Sequence, residues 1–591
     1  MCGAVIPERV EEQLGIARTV GARYFGHLRL ASNGKQTDVL LGSESRSRAG
    51  LSVVDWRTAP LAEVFFGYGE GEDYGVEIEG RHLEGTVLQR NLVTFNGADL
   101  VEVQTPRARF LREGEGWREL PVPERPTLRP ASPHRAPILD AAQQRAVDLP
   151  PGGALLLLGE AGAGKTTVAL HRVVALRRRA RKRFRAAVVV PTEGLRRLSR
   201  SLLDRLGAPE VEVHLYDKFA AKQARRVFRG LPRRESQSAR ASVIRFKRHE
   251  ALRSVLQALP PRAVTARADL HELFGDRALV ERMVREAGLP LPTISDVVEH
   301  TRIQFSNTTE EEFSGTQASA LQTLDGRRID EGTVREDART IDVEDYAVLF
   351  ELDGLRGGTA RPPRYDCMVV DEAQELAPLE LGLIGRSLKP KGTLIVAGDR
   401  EQQLDDTACF RGWEETMREL GAAKHDRVEL AIGYRCPPEV EAFARELRAA
   451  RPARYPCARF SSEVHVAAWL VEALQDLVTR DPSSSVAVIC RSREAATQLA
   501  WTLRHGVEAR LALDGDFSFR PGIEVTCVEE VKGLEFDQVI LPDLEAYGAT
   551  DQSRHALYVA CTRASDQLVL AAAGRPSPLL DRSSPQSVLA R

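Results

Sequence analysis

Ala154-Leu155-Leu156-Leu157-Leu158 runs straight into Gly159-Glu160-Ala161-Gly162-Ala163-Gly164-Lys165-Thr166, with Thr167 and a helical stretch behind it. A short continuous apolar run bounded by glycine reads as a fully buried strand. The glycines let successive backbone N–H groups wrap an anion, and the helix N-terminus that follows adds its dipole. In this spacing Lys165 reaches the β/γ-phosphates of a nucleoside triphosphate, and the Thr166 hydroxyl ligates Mg²⁺. A plain glycine-rich connector is the alternative, and it leaves the strand in front and the amphipathic helix behind unexplained. ATP at residues 159–167 is therefore the first expectation.

Other residues gain meaning from that loop. Asp371-Glu372 closes the apolar run Cys367-Met368-Val369-Val370. A carboxylate at the C-terminal edge of a parallel strand, beside a phosphate loop, is where Mg²⁺ is held. The adjacent Glu372 is placed to orient or deprotonate the attacking water; an acidic helix cap is the bland alternative. Gly398-Asp399-Arg400-Glu401-Gln402 ends a further strand, and Gln402 is a candidate reader of the γ-phosphate, although Gly-Asp there is also common turn chemistry. Gln143, just before the loop strand, is a candidate reader of the adenine edge. Later come Tyr434-Arg435, Lys532-Gly533-Leu534-Glu535-Phe536 and Tyr558-Val559-Ala560-Cys561-Thr562-Arg563-Ala564, the last on an expected helix. Arginines brought to a γ-phosphate from a second lobe act as fingers. Singly, each is more ordinarily a surface residue.

The 591 residues suggest about four domains. A 43% hydrophobic and 28% charged composition is that of a soluble globular chain. No stretch approaches the roughly 18 apolar residues of a membrane span. Glu8, Glu11 and Glu12 exclude a signal-peptide apolar region, and eight scattered cysteines form no metal-spaced pair. A reduced, cytoplasmic protein without structural zinc is expected. The net charge of −2 leaves a nucleic-acid partner open. The basic run from Arg172 to Arg185 reads either as a solvated helix C-terminus or as a phosphate-facing patch.

Residues 1–23 are expected to form a helix and 24–130 a β-rich domain of short strands between glycine turns, ending in a proline-rich linker. Buried parallel strands are expected at Ala154–Leu158, Ala187–Val190, Cys367–Val370 and Thr393–Ala397. They give a first α/β lobe over 131–212 and 361–440, interrupted by a mostly helical insertion at 213–360. A second lobe over 441–573 carries strands at Val486–Ile489, Ile523–Cys527, Gln538–Leu541 and Gln567–Leu570 and has no phosphate loop. Residues 574–591, rich in Pro, Ser and Arg, are expected to be disordered.

In order, the chain reads Gln143, GEAGAGKT, VVVPT, VVDEAQE, GDREQ, GYR, VKGLEF and YVACTRA. This series resembles the superfamily 1 helicases of the UvrD/Rep type over most of 138–572. The resemblance implies two RecA-like P-loop NTPase lobes closing on ATP–Mg²⁺, and translocation or unwinding 3′ to 5′ on single-stranded DNA. It implies phosphate and metal binding by Lys165 and Thr166, metal binding by Asp371 and base catalysis by Glu372. Gln402 would be the γ-phosphate sensor, with Arg435 and Arg563 as fingers. Gln143 and Tyr434 would contact adenine, and Glu535 would lie near the ribose.

Tyr24-Phe25-Gly26-His27-Leu28, Val54-Asp55-Trp56-Arg57-Thr58-Ala59-Pro60, Gly412-Trp413-Glu414-Glu415 and Tyr434–Val440 look most like the HelD branch. That likeness implies an ATPase able to engage RNA polymerase. The branch's long N-terminal coiled coil has no counterpart before Tyr24, and the stretch from Arg435 to Lys532 is too short for the accessory subdomain of UvrD-type enzymes. Pro191-Thr192-Glu193 stands where those enzymes carry an aromatic and an asparagine. Phe410 and Trp413 are open to two readings, base stacking or core packing. A monomer is expected, with no membrane partner. A phosphotransferase acting on a small molecule would leave the second lobe and both arginines without a role.

Overall fold

The computed structural model describes residues 24–587 other than 33, 43–44, 49–50, 56–58, 60, 79–80, 97–98, 106–107, 115, 122–126, 130–138, 181–183, 237–238, 258–265, 306–338, 358–361, 363, 431–435 and 582–585. The helix expected over 1–23, most of the linker prolines, and Tyr434 with Arg435 lie outside the described residues. The chain divides into two compact units, Ala136–Tyr434 and Met1–Arg135 with Arg435–Arg591.

In the first of these, six parallel strands run in the order Glu212–Leu215, Ala186–Val190, Tyr365–Val370, Leu388–Gly398, Gly153–Gly159 and Asp426–Leu430. Side chains alternate across a strand, and here both faces are buried. Leu155, Leu157, Val188, Cys367 and Ile395 meet the helices Ala141–Asp148, Lys165–Arg179 and Glu193–Arg205. Leu156, Leu158, Val189, Met368 and Val396 face the other way, into one core with Phe219, Phe246, Phe274 and Phe350 of the insertion. The described helices of 213–360 thus bury the second face of the sheet instead of forming a core of their own.

The other unit joins two sheets. Seven parallel strands run in the order Ala509–Leu511, Gly522–Cys527, Ser485–Cys490, Phe536–Leu541, Ala564–Ala573, Cys457–Phe460 and Gln586–Ser587. Among the described residues from Tyr24 to Pro121 a nine-stranded, mostly antiparallel sheet forms, with one short helix, Leu61–Gly67. Leu28, Leu41, Phe65 and Phe66 share a continuous core with Trp469, Leu470 and Val471 of the helix Glu463–Arg480. Arg90 donates from Nη1 to the Phe65 carbonyl (3.1 Å) and from Nη2 to Glu472 Oε1 (2.5 Å). The described remnant of the linker is strapped down too. Leu128 is buried, Gln538 donates to the Arg129 carbonyl (2.7 Å), and Gln567 accepts from Arg129 N (2.9 Å).

Three expectations need correction. The strands Glu212–Leu215, Asp426–Leu430, Cys457–Phe460, Ala509–Leu511 and Gln586–Ser587 were not among those anticipated; all stand at or next to a sheet edge. Edge strands carry charge on their open side, which erases the apolar run that marks a central strand. The helix expected across Tyr558–Ala564 ends at Cys561, and Ala564 already begins the next strand. The stretch Gly574–Asp581 is ordered and packed, and Gln586–Ser587 pairs into the sheet. Leu579 and Leu580 are buried, Ser577 donates to the Tyr547 carbonyl (2.7 Å), and Asp581 N donates to Ala453 O (2.9 Å). Two leucines in an otherwise polar tail are enough to seat it.

Because the N-terminal sheet and the second α/β sheet bury one apolar surface, Phe66→Ala is expected to destabilise both together by about 3–5 kcal/mol. Thermal unfolding followed by hydrogen exchange should show the strands of 24–121 and of 485–573 losing protection in step. Loss confined to 24–121 would mean the two cores are separate.

Candidate active site

The loop strand ends at Gly159, and the chain then turns through Gly162 (φ 77°) and Gly164 (φ 81°) into the helix that begins at Lys165. Both φ values lie in the left-handed region that glycine tolerates without cost. A Cβ at Gly164 would also stand 2.8 Å from Gln143 Nε2. The Lys165 ammonium folds back over the loop and donates to the carbonyls of Gly159 (2.8 Å) and Glu160 (3.0 Å). It is buried, and these two carbonyls are its hydrogen-bond partners.

Thr166 Oγ1 donates to Asp371 Oδ2 (2.7 Å), reaching past the strand that lies between theirs. Asp371 is buried at the end of Tyr365–Val370, next to the equally buried Glu372. Burial and the Glu372 charge push its carboxyl up to about 7, against the Thr166 hydroxyl and the Lys165 ammonium, which pull it down. Two adjacent buried carboxyl groups, with a hydroxyl aimed at one of them, form an oxygen donor set suited to Mg²⁺. Thr166 and Asp371 are the residues that would hold it.

Glu372 has a φ of 54°, a strained value for a residue with a side chain, worth about 1–3 kcal/mol. Gln374 fixes it there. Its Nε2 donates to Glu372 Oε2 (2.6 Å), while its Oε1 accepts from the Asp399 backbone N–H (3.2 Å). Asp399 Oδ2 in turn accepts from Gln402 Nε2 (3.0 Å). A continuous hydrogen-bonded path, all of it buried, runs Glu372–Gln374–Asp399–Gln402. Gln374 is absent from the residues picked out by sequence reasoning. The spacing DEAQ was its only signal, and its meaning depends on which strand lies alongside. The glycine at the end of that strand is equally constrained: a Cβ on Gly398 would run into the Trp413 ring and stand 2.5 Å from Gln374 Oε1.

Gln143 is the third residue of the helix that Asp140 caps. Its Oε1 accepts from Asp140 N (3.0 Å) and its Nε2 donates to Ala163 O (3.0 Å), so its amide braces the phosphate loop. Trp413 packs against the core under Gly398, and Phe410 meets it edge-on with ring centroids 4.9 Å apart. In the Arg172–Arg185 run, Arg181, Lys182 and Arg183 lie outside the described residues, and the described arginines bond neighbouring structure. Arg172 is buried and donates to the carbonyls of Ala146, Val147, Leu149 and Pro150, at the end of a neighbouring helix. Arg177 and Arg178 donate to Gly207 and Leu206 O, and Arg179 pairs with Asp148. Thr192 caps the helix Glu193–Arg205, and Glu193 pairs with Arg196 and Arg197.

In the other unit Arg563 is buried where the helix Asp551–Cys561 hands over to the next strand. It donates to the carbonyls of Val559 (2.9 Å) and Leu534 (3.3 Å) and to Thr562 Oγ1 (3.0 Å). Cys436 lies beside it through the Thr562 carbonyl (Sγ···O 3.6 Å). Glu535 is exposed, one residue from the Leu534 carbonyl that holds Arg563.

Residues 143–407 match the family model of an AAA domain, and residues 523–571 match that of a UvrD-like helicase C-terminal domain. A solved structure, the C-terminal domain of a possible DNA helicase from Lactobacillus plantarum WCFS1, is 25% identical over 27% of this chain and 100% of its own, with a TM-score of 0.24. No curated protein matches. The two matched domains support a UvrD/Rep-like superfamily 1 helicase. They imply ATP binding, nucleic-acid binding and ATP-dependent helicase or translocase activity. No helix among the described residues is long and apolar enough to cross a membrane.

Gly398→Ala is expected to displace Gln374 and with it Glu372, lowering kcat for ATP by about tenfold or more while nucleotide affinity stays near normal. Steady-state turnover alongside nucleotide titration checks this. An unchanged kcat would mean that Gln374 does not hold Glu372 for the reaction.

Proposed function

We propose that the chain is an ATP-driven motor moving 3′ to 5′ on single-stranded DNA. The observation that carries this reading is the buried path from Glu372 to Gln402, adjoining the Thr166–Asp371 bond. Lys165 exchanges the Gly159 and Glu160 carbonyls for β/γ-phosphate oxygens. Glu372 accepts a proton from the water whose oxygen forms the new bond to the γ-phosphorus, as the bond to ADP breaks. Gln402 reports the γ-phosphate through Asp399 and Gln374. A bound Mg²⁺ supplies charge neutralisation at the phosphates. Arg563 and Arg435 act as fingers, Tyr434 and Gln143 contact adenine and Glu535 lies near the ribose, as the motif order supports.

The seven cysteines among the described residues are free thiols, which supports a reducing, cytoplasmic setting. A second reading, an ATPase of the HelD kind that binds RNA polymerase as a monomer and remodels or releases transcription complexes, is favoured by one observation. The β-rich sheet of 24–121 is built onto the second lobe's core, an addition the two-lobed motor itself does not require.

ATPase stimulation by single-stranded DNA, duplex DNA, RNA and core RNA polymerase, measured in parallel, separates the two. The motor predicts stimulation by single strands; stimulation by polymerase alone would select the second reading. Lys165→Ala should abolish turnover. Glu372→Gln should keep ATP binding and stop hydrolysis, and Arg563→Ala should lower kcat by about 10³-fold. Normal turnover in the Arg563 variant would remove the finger from the mechanism.

A further inference from the structure

Just outside the path that ends at Glu372 and Gln402 lies a second buried junction. The 3₁₀ turn Ala373–Glu375 follows Glu372 directly, and the segment 403–407 follows Gln402. The Glu375 carboxylate ties them together: Oε1 accepts from Leu404 N (2.8 Å) and Oε2 from Asp405 N (3.0 Å). Two side chains of the insertion helix Ala241–Arg248 reach this joint: Arg245 pairs with Asp406 at its exposed rim (2.6 Å), and Arg248, the last residue of the helix, enters its buried centre. Arg248 Nη2 donates to the Glu375 carbonyl (2.7 Å) and to Glu380 Oε2 (3.0 Å). Its Nη1 donates to Thr407 Oγ1 (2.7 Å) and to Asp405 Oδ2. The guanidinium is buried, and only a planar fork reaches acceptors on both segments at once.

The residue before it is pinned in the opposite direction. Lys247, fully buried, donates to Asp342 Oδ2 (2.6 Å) and Asp345 Oδ1 (2.7 Å). Asp342 also takes His300 (3.0 Å) and Gln304 (2.6 Å) from the helix Thr293–Phe305. Two consecutive residues of one helix therefore anchor into different bodies of structure, Lys247 into the insertion and Arg248 into the segments trailing Glu372 and Gln402. A solvent-facing arginine could not do this, because an exposed ion pair yields readily. Neither segment can shift without breaking the Arg248 fork or dragging the helix with it.

We propose that Arg248 is a positioning residue coupling the insertion to the hydrolytic site, so that nucleotide at the phosphate loop is felt in the helices of 241–257 and a ligand on the insertion sets the posture of Glu372 and Gln402. The inference rests on the ATP-site reading above. The test is amide hydrogen exchange over 241–257 in the full chain, with and without a non-hydrolysable ATP analogue and Mg²⁺, while a fluorescent ATP analogue reports binding. In the unmodified protein nucleotide should change protection in 241–257. In Arg248→Gln that change should be lost with nucleotide affinity retained, and Arg248→Lys, which keeps charge without the fork, should restore only part of it. Asp405→Asn, which removes one acceptor and leaves the insertion's own Lys247 network intact, should weaken the same response and serves if the Arg248 variants fold poorly. Binding without any change in 241–257, or an undiminished change in the folded variants, overturns the proposal alone. Failure of the unmodified protein to bind nucleotide overturns the site reading and this proposal together.

Discussion

Two adjacent carboxyl groups, Asp371 and Glu372, have to be kept side by side in a buried pocket, and the surrounding structure follows from that requirement. Burial alone would neutralise them or turn them outward. The Thr166 hydroxyl and the Lys165 ammonium meet the first, and Gln374 meets the second while holding its backbone in a left-handed conformation. Gln374 can do so only because the next strand brings Asp399 alongside and ends in a residue without a side chain. The site is thus assembled across three parallel strands, and the loop that takes phosphate is braced by Gln143 from outside the sheet.

The same economy governs the larger architecture. Neither compact unit is a bare α/β sheet. In one, the insertion's aromatic residues close the face of the sheet that the flanking helices leave open. In the other, the N-terminal β-sheet and the second lobe share a core through the Leu61–Gly67 and Glu463–Arg480 helices. Close backbone approach accompanies this. A Cβ on Gly67 would stand 2.9 Å from the His505 carbonyl, and one on Gly506 would stand 3.0 Å from the Phe66 carbonyl. Segments that look like appendages along the chain are load-sharing parts of the sheets they adjoin.

How much of this could be read in advance depended on how local the cause is. The central strands announce themselves, because a strand buried on both faces is a continuous apolar run, as in Leu155–Leu158 and Val188–Val190. Glycines at left-handed positions and the Lys-Thr pair of the loop are likewise local. Asp426-Arg427-Val428-Glu429-Leu430 is charged on its open side and gives no such signal. Gln374 and Arg248 gave no readable signal for another reason. Each matters through a partner distant in sequence, and the partner is fixed by strand order. The proline-rich linker misled in the opposite sense: it reads as a boundary, yet Leu128 is buried in the core that spans it.

The arginines teach the same lesson about charge. Runs such as Arg177-Arg178-Arg179 invite a phosphate-facing reading, but guanidinium groups are also the best caps for the carbonyls left over at helix ends. Here Arg172, Arg177, Arg178 and Arg563 all donate to such carbonyls. Arg177 also pairs with Glu210, so the described arginines of the run are spent on neighbouring structure. Arg563 differs in its setting: it sits in a signature segment, buried, with its fork directed by Leu534 and Val559. A guanidinium already stripped of water and held in one orientation loses less freedom on meeting a phosphate than a surface arginine does, which is why burial strengthens its candidacy as a finger.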